Sequence, residues 1–209
     1  MLPSAFDLLP VLVAAPHLAV FLDFDGTLAP IEAHPDRVWL DAETRASVTR
    51  LATVADVAVI SGRHLDDLIP RVGIPGIAYG GSHGLELQRP DGRRSDFGDP
   101  HTFDDDVRAA TAMLEAHRGQ HPGTMVERKP FSVAIHYPHA EPTREAHFRA
   151  GVRALAERVP RLEVLAGKHV LEFRPRSGWT KGDIVRLLLR AHADGAVGIA
   201  MGDDVTDED

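Results

Sequence analysis

The 209-residue chain contains no cysteine. That excludes disulfide frameworks, Cys-based zinc sites and thiol catalysis, and it is compatible with a reducing cytosol. Cationic residues are in the minority: 23 Lys and Arg stand against 31 Asp and Glu, a formal net charge of -8. Non-specific nucleic-acid binding needs cationic surface against phosphate, so no nucleic-acid partner is expected. A small anionic substrate stays open, because a few local cations and a metal override the mean field. The twelve histidines show no HExxH or comparable metal spacing. His136 and His139 are close in sequence, but such a pair in a strand-to-turn segment reads as ordinary polarity.

No Lys or Arg precedes Arg37, so the apolar stretch from Leu8 to Leu22 lacks the basic flank of a signal peptide. Pro10 and Pro16 interrupt it, and it is too short to span a bilayer. It reads as a lead-in segment and a buried first strand, with a cytoplasmic chain and no membrane partner expected. Internal repeats and low-complexity tails are also missing. What is present is the balance of a globular protein, 44% hydrophobic and 26% charged, long enough for one large domain or two small ones.

Strand and helix signals alternate in the first part. His17–Leu22 is an apolar run suited to a buried parallel strand. Asp41–Val54 predicts a helix capped by Asp41, with Ala42, Ala46, Val48 and Leu51 on its apolar face. Val57–Ile60 predicts a strand, His64–Ile69 a short helix stopped by Pro70, and Ile77–Tyr79 a further strand. Pro90–Pro100 reads as a polar loop. A helix carrying Phe103, Val107, Ala110, Leu114 and His117 follows, its first turn rich in aspartate, as the macrodipole favours. Strands are expected near Met125–Lys129 and Ser132–Tyr137, then a helix with Phe148, Val152, Leu155 and Val159, then strands near Leu162–Leu165 and His169–Phe173. This αββαββ order predicts a small α+β domain with an antiparallel sheet. The parallel rhythm resumes with a helix over Asp183–Ala193 and a strand over Ala196–Ala200. The expected architecture is α/β, a doubly wound parallel-sheet core (1–88 and 175–209) interrupted by an inserted α+β cap domain (89–174).

Asp23-Phe24-Asp25-Gly26-Thr27-Leu28 directly follows the first apolar strand. Ligands of parallel α/β sheets gather at the carboxyl ends of strands, and carboxylates two residues apart in extended chain point the same way. One can attack phosphorus and form an aspartyl-phosphate; the other can give a proton to the leaving oxygen and then activate water. Two close carboxylates repel, so a hard cation such as Mg2+ is their natural complement. A bare Asp-x-Asp would more often be a strand followed by a turn; the complete motif after a buried strand favours chemistry. Ser61, ending the second strand, can hold a phosphoryl oxygen or simply form a Ser-Gly turn. Lys181, ahead of a helix, can neutralise phosphate or sit in solvent. Gly202-Asp203-Asp204-Val205-Thr206-Asp207 closes the last strand with the carboxylates a metal site requires.

These four pieces, in this order, resemble the haloacid dehalogenase superfamily. The resemblance implies Asp23 as nucleophile and metal ligand. It implies Asp25 as general acid/base, with a backbone carbonyl to the metal, and Ser61 and Lys181 as phosphate ligands. Asp203 would ligate Mg2+, and Asp207 matches the second acidic position of the last motif. A finer resemblance, to the trehalose-6-phosphate phosphatase family, rests on Ile60–Arg63 (ISGR), Gly81–Glu86 (GSHGLE), Glu127–Lys129 (ERK), Glu172–Pro175 (EFRP) and Gly202–Asp209 (GDDVTDED). It runs over nearly the whole chain from Phe21, and the inserted domain stands where that family has its cap.

Glu127 and Lys129 share one face of a strand, as do Glu172 and Arg174. Such a face suits a ligand rich in hydroxyls, and it equally suits cross-strand salt bridges. With the resemblance, Glu127, Lys129 and Glu172 are expected to contact a sugar. Gly62, Arg63 and His83 belong to the substrate-binding set through the family signatures; Arg174, His136 and His83 itself are weaker candidates, since a histidine near a strand is more often structural.

The implied reaction is hydrolysis of trehalose 6-phosphate, with a trehalose-phosphate synthase as functional partner. The alternatives are another sugar phosphate such as sucrose 6-phosphate, a phosphomutase, or a catalytically silent regulatory domain. The sequence stops inside the last motif, where the family is expected to continue with further helix and strand.

Overall fold

The computed structural model describes residues 9–32, 35–137, 142–167, 169–192 and 195–208. In chain order the elements are α1 (Leu9–Ala14), β1 (Leu18–Leu22), α2 (Ala42–Leu51), β2 (Asp56–Ile60), α3 (Leu65–Val72), β3 (Ala78–Gly81), β4 (Glu86–Gln88) and β5 (Arg94–Asp96). They continue with α4 (Asp104–Arg118), β6 (Met125–Arg128), β7 (Val133–His136), α5 (Pro142–Ala156), β8 (Leu162–Gly167), β9 (Val170–Pro175), α6 (Lys181–Leu189) and β10 (Val197–Met201). They fall into two compact units, one formed by Met1–Asp96 with Trp179–Asp209 and one by Phe97–Gly178. The sequence reading put the divisions after Gln88 and Arg174. His139, Ala193 and Asp209 lie outside the described residues.

The first unit is built on a mixed sheet in the order β10-β1-β2-β3-β4-β5. The four strands from β10 to β3 are parallel, and β4 and β5 run antiparallel. Central β1 is buried from Ala19 to Leu22, which is why it reads as an unbroken apolar run rather than an alternating one. Asp41 caps α2 as expected, its Oδ1 accepting from the N–H groups of Glu43 and Thr44 at 2.9 Å. Of the apolar face expected on α2, Val48 is buried and Leu51 partly so, whereas Ala42 and Ala46 are exposed.

Three local expectations are corrected. Helix α3 does not stop at Pro70. It continues to Val72 and closes on Gly73, which takes a left-handed conformation (φ 65°) and donates to Ile69 O at 2.8 Å. Burial of Leu65, Leu68 and Val72 outweighs the one backbone bond that proline cannot make. The stretch read as a polar loop contains β5, which pairs with β4 in a hairpin turning at Asp91-Gly92 (Gly92 φ 85°). Helix α6 starts at Lys181 rather than Asp183: the Asp183 carboxylate accepts from the N–H and hydroxyl of Thr180 at 3.0 and 3.1 Å, a reciprocal cap one turn ahead.

The second unit has the expected αββαββ order, with an antiparallel sheet β6-β7-β9-β8. One sheet face buries Val133, Ile135, Leu171, Phe173 and Leu162 with Val107, Ala110 and Leu114 of α4 and Phe148 and Val152 of α5. Each fully buried large aliphatic side chain there contributes roughly 1.5–3 kcal/mol. Among the alternate residues of the same strands are the polar His136, Glu163, Glu172 and Arg174.

Candidate functional site

Strands β1, β2 and β10 bring Asp23, Ser61 and the segment 202–207 to their common carboxyl ends. The Asp23 N–H bonds to Met201 O at 2.9 Å, tying the start of the first motif to the end of β10. Phe24 turns the other way and is fully buried. Gly26 (φ 99°) then closes a tight loop, its N–H on Ala29 O at 2.7 Å, with Ala29 N–H on Phe24 O at 2.9 Å. A Cβ on Gly26 would lie inside 3.0 Å of the Asp203 carboxylate, so only glycine lets that side chain close on the loop.

Asp23 is 7% exposed, and Lys181 Nζ meets its Oδ1 at 2.7 Å. The same Nζ bonds Asp207 Oδ1 at 2.7 Å. Burial pushes the Asp23 carboxyl up to about 6 against the pull of Lys181, with Asp207 and Asp25 adding to the rise. Burial pulls the lysine down, but Asp23 and Asp207 outweigh it and hold it protonated. Lys181 is the first residue of α6, so the positive end of that helix dipole lies at the same place.

Oxygens of Asp23, Asp203 and Asp207 all lie within 4.8 Å of one another, a donor set that fits a hard divalent cation. Asp25, expected to give the metal a backbone carbonyl, sends its side chain elsewhere. Its two oxygens accept from Nε and Nη2 of Arg63 at 2.7 Å each.

Ser61 is buried, and its Oγ accepts from Arg63 N–H at 3.1 Å, which leaves the hydroxyl hydrogen available to donate. The loops after β2 and β3 are knitted together: Ser82 N–H bonds Arg63 O at 2.7 Å and His83 N–H bonds Ser61 O at 3.1 Å. Gly62 faces the His83 ring, which occupies the space a Cβ would need. Ser82 and His83 both adopt positive φ (48° and 55°), a strained conformation for residues other than glycine. Glu86, raised by burial, accepts from the Ser82 hydroxyl at 2.5 Å and from Leu65 N–H at 3.3 Å, so it caps α3 from another element. Gly84 (φ 102°) packs on the Thr180 carbonyl, closer than any side chain permits. Gly84→Ala is expected to cost about 3 kcal/mol, read as a lowered urea midpoint with unchanged slope; an unaltered midpoint would refute this account of the contact.

In the second unit the polar sheet face holds Glu127, Ala134 and Glu172 in one row across β6, β7 and β9. Lys129 Nζ and Ser132 Oγ bond the buried Glu172 carboxylate at 2.7 and 2.5 Å. His136 Nε2 lies 2.8 Å from Glu127 Oε2, and Arg174 Nε lies 2.7 Å from Glu163 Oε1. Burial raises the Glu127 carboxyl, but His136 and Lys129 outweigh it and hold it below the usual range. Salt bridges thus form on this face, leaving it polar and preorganised.

Sequence reasoning gave no role to Asp67, Arg71 or Ser132, and it quoted Ser82 and Glu86 only as parts of the GSHGLE motif. Arg63, Asp67 and Arg71 recur at four-residue intervals with alternating sign, a ladder readable as helical charge spacing. Ser132 carried no such signal.

A family model described as trehalose-phosphatase matches residues 21–209. A trehalose-phosphate phosphatase from Mycobacterium avium is 42% identical over 201 residues, covering 94% of this chain and 51% of the relative. The chain therefore spans about half the length of the curated relatives it matches. Among solved structures, the C-terminal domain of trehalose-6-phosphate phosphatase from C. albicans superposes with TM-score 0.83 at 24% identity, covering 96% of this chain and 74% of that one. A haloacid dehalogenase-like hydrolase from B. subtilis shares the fold at TM-score 0.57 and 14% identity, covering 90% of this chain and 84% of that one. A match running from the strand of the Asp23 motif through the acidic segment after β10 means that the chain belongs to the trehalose-phosphatase family, on a haloacid dehalogenase-like fold.

Proposed function

We propose that this chain carries the catalytic machinery of a Mg2+-dependent phosphatase that hydrolyses trehalose 6-phosphate through an aspartyl-phosphate on Asp23. The observation that carries the reading is the buried Asp23–Lys181–Asp207 arrangement beside Asp203. Asp23 is ionised at neutral pH and held by a lysine that can also meet phosphate. Asp23, Asp203 and Asp207 would hold the cation, with a backbone carbonyl from Asp25. When bound, such an ion neutralises phosphate charge and orients the phosphoryl group. Ser61 donates to a phosphoryl oxygen. Asp23 attacks phosphorus while Asp25 protonates the departing sugar oxygen; Asp25 then takes a proton from the water that releases phosphate.

The substrate half of the proposal rests on family membership and on the polar sheet face of the second unit. There Glu127, Lys129 and Glu172 offer carboxylate acceptors and an ammonium donor to sugar hydroxyls. Gly62 and His83 shape the loop around Ser61. Arg63, already engaged by Asp25 and Asp67, acts on Asp25 rather than on the sugar. A trehalose-phosphate synthase is the partner that would supply this substrate.

Phosphate release from trehalose 6-phosphate tests the proposal, with Mg2+ and with chelator, alongside sucrose 6-phosphate and glucose 6-phosphate. Cation-dependent release from the trehalose ester alone is expected. Comparable rates on all three esters would remove the substrate assignment. Silence on all three would favour a regulatory domain without turnover.

A further inference from the structure

Arg63 is 9% exposed, and its guanidinium is shared between two carboxylates. Nε and Nη2 take both oxygens of Asp25 at 2.7 Å, and Nη1 takes Asp67 Oδ2 at 2.8 Å. Asp67 is itself fixed by Arg71, whose Nε and Nη2 lie 2.7 and 2.6 Å from its other oxygen. Arg71 is anchored in turn on the carbonyls of Asp36 and Val38 at 3.0 and 2.7 Å. Arg63 also donates to Pro35 O at 3.2 Å and lies over the Phe24 ring. The cation is therefore immobile, and the mobile partner is Asp25, whose side chain is 35% exposed.

A fork-on-fork pairing of this kind occupies both carboxylate oxygens. A carboxyl group that must hand a proton to a departing sugar oxygen cannot do so from that pose, because each oxygen faces an N–H donor instead of the substrate. Breaking the pair by losing one partner would ordinarily leave a bare buried cation, at a cost of several kcal/mol. Here it does not, because Asp67 remains on Nη1.

We propose that Arg63 is a latch that holds Asp25 in a resting position and must release it for proton donation, with Asp67 compensating the buried guanidinium after release. This rests on the phosphatase reading above. In the step it serves, the Asp23–phosphorus bond forms as the bond from phosphorus to the sugar oxygen breaks. Once released, the Asp25 carboxylate takes up a proton from solvent, which it does not carry while paired with Arg63, and passes it to that oxygen; no electrons are exchanged with any other group. Arg63 and Asp67 touch neither phosphorus nor sugar in this account; they position the acid.

Asp67→Asn tests the latch. It leaves Asp25 as the sole anionic partner of Arg63, so release becomes harder. With trehalose 6-phosphate, kcat is expected to fall roughly tenfold, as befits one weakened charge-assisted contact, with KM within about twofold of wild type. With p-nitrophenyl phosphate, whose leaving group departs without a proton, the first-turnover release of p-nitrophenolate is expected to stay within about twofold, since only the later water step still needs Asp25. That second substrate also reports that the variant is folded and can still attack phosphorus. Equal slowing of the first turnover on both esters would make Asp67 merely structural and overturn the latch, as would an unchanged kcat on the sugar ester. A wild-type chain that cleaves neither ester removes the phosphatase reading and the latch with it. One that cleaves both while the variant matches it removes the latch alone.

Discussion

Asp23→Asn is expected to abolish phosphate release, by on the order of 10^4-fold or more, since an amide cannot attack phosphorus in place of the carboxylate. The fold should survive. Lys181 keeps Asp207 at 2.7 Å, and Asn is the same size as the carboxylate it replaces. Stability should even improve slightly at neutral pH. Burial raises Asp23 from 3.8 to about 6, so between those values the folded chain binds more protons than the unfolded one. Wild-type stability from this group therefore declines as pH rises through that window, and the neutral variant lacks the decline. Phosphate release with saturating Mg2+, paired with thermal melts at pH 4.5 and 7.5, checks both halves. Turnover within a hundredfold of wild type would sink Asp23 as nucleophile.

Lys181→Met is expected to have the second-largest effect, on rate and stability together. It leaves Asp23 and Asp207, both largely buried, without the ammonium that lies between them. Breaking a buried pair by removing one partner costs about 3 kcal/mol or more, and removing a cation from the phosphoryl site costs on the order of 10^2-fold in turnover. The stability deficit should depend on pH. Lys181 is raised in the fold, so its contribution is fully present below its unfolded value and the variant lacks it throughout the neutral range. Without the lysine that lowers it, Asp23 of the variant takes up its proton above 6, so the deficit narrows as pH falls toward 6 and levels off below it. Urea midpoints for both proteins from pH 5 to 8 measure this. A gap that widens on acidification would show that the pair is organised differently.

Legibility of the fold followed the strength of local signals. Strand β1 and helix α4 were readable because burial on both faces, or on a long helical stripe, leaves an unmistakable apolar pattern. The β4–β5 hairpin was not, because Glu86–Gln88 and Arg94–Asp96 are three-residue strands with little apolar content, held by backbone pairing to β3 and to each other. Pro70 misled because proline's local cost was weighed without the burial of Leu68 and Val72 on either side. At the site, Asp23, Lys181 and Asp203 were named from motif order, and the structure brings all three together with Asp207. Arg63 was named but assigned to substrate. Its partner Asp25 is 38 residues away, and sequence alone does not say which of several nearby anions a buried arginine will choose.

Strand β1 pairs with β10 along its whole length, and Lys181 reaches Asp23 across 158 residues of chain. Contacts of such sequence separation are slow to form, and during vectorial synthesis these partners of Asp23 emerge long after it. The segment 97–178 has a hydrophobic core of its own, so on the ribosome it can condense while the flanking sheet still lacks an edge. Asp23 is thus made well before Lys181 and Asp207, and its surroundings close only after the whole 97–178 segment has been read out.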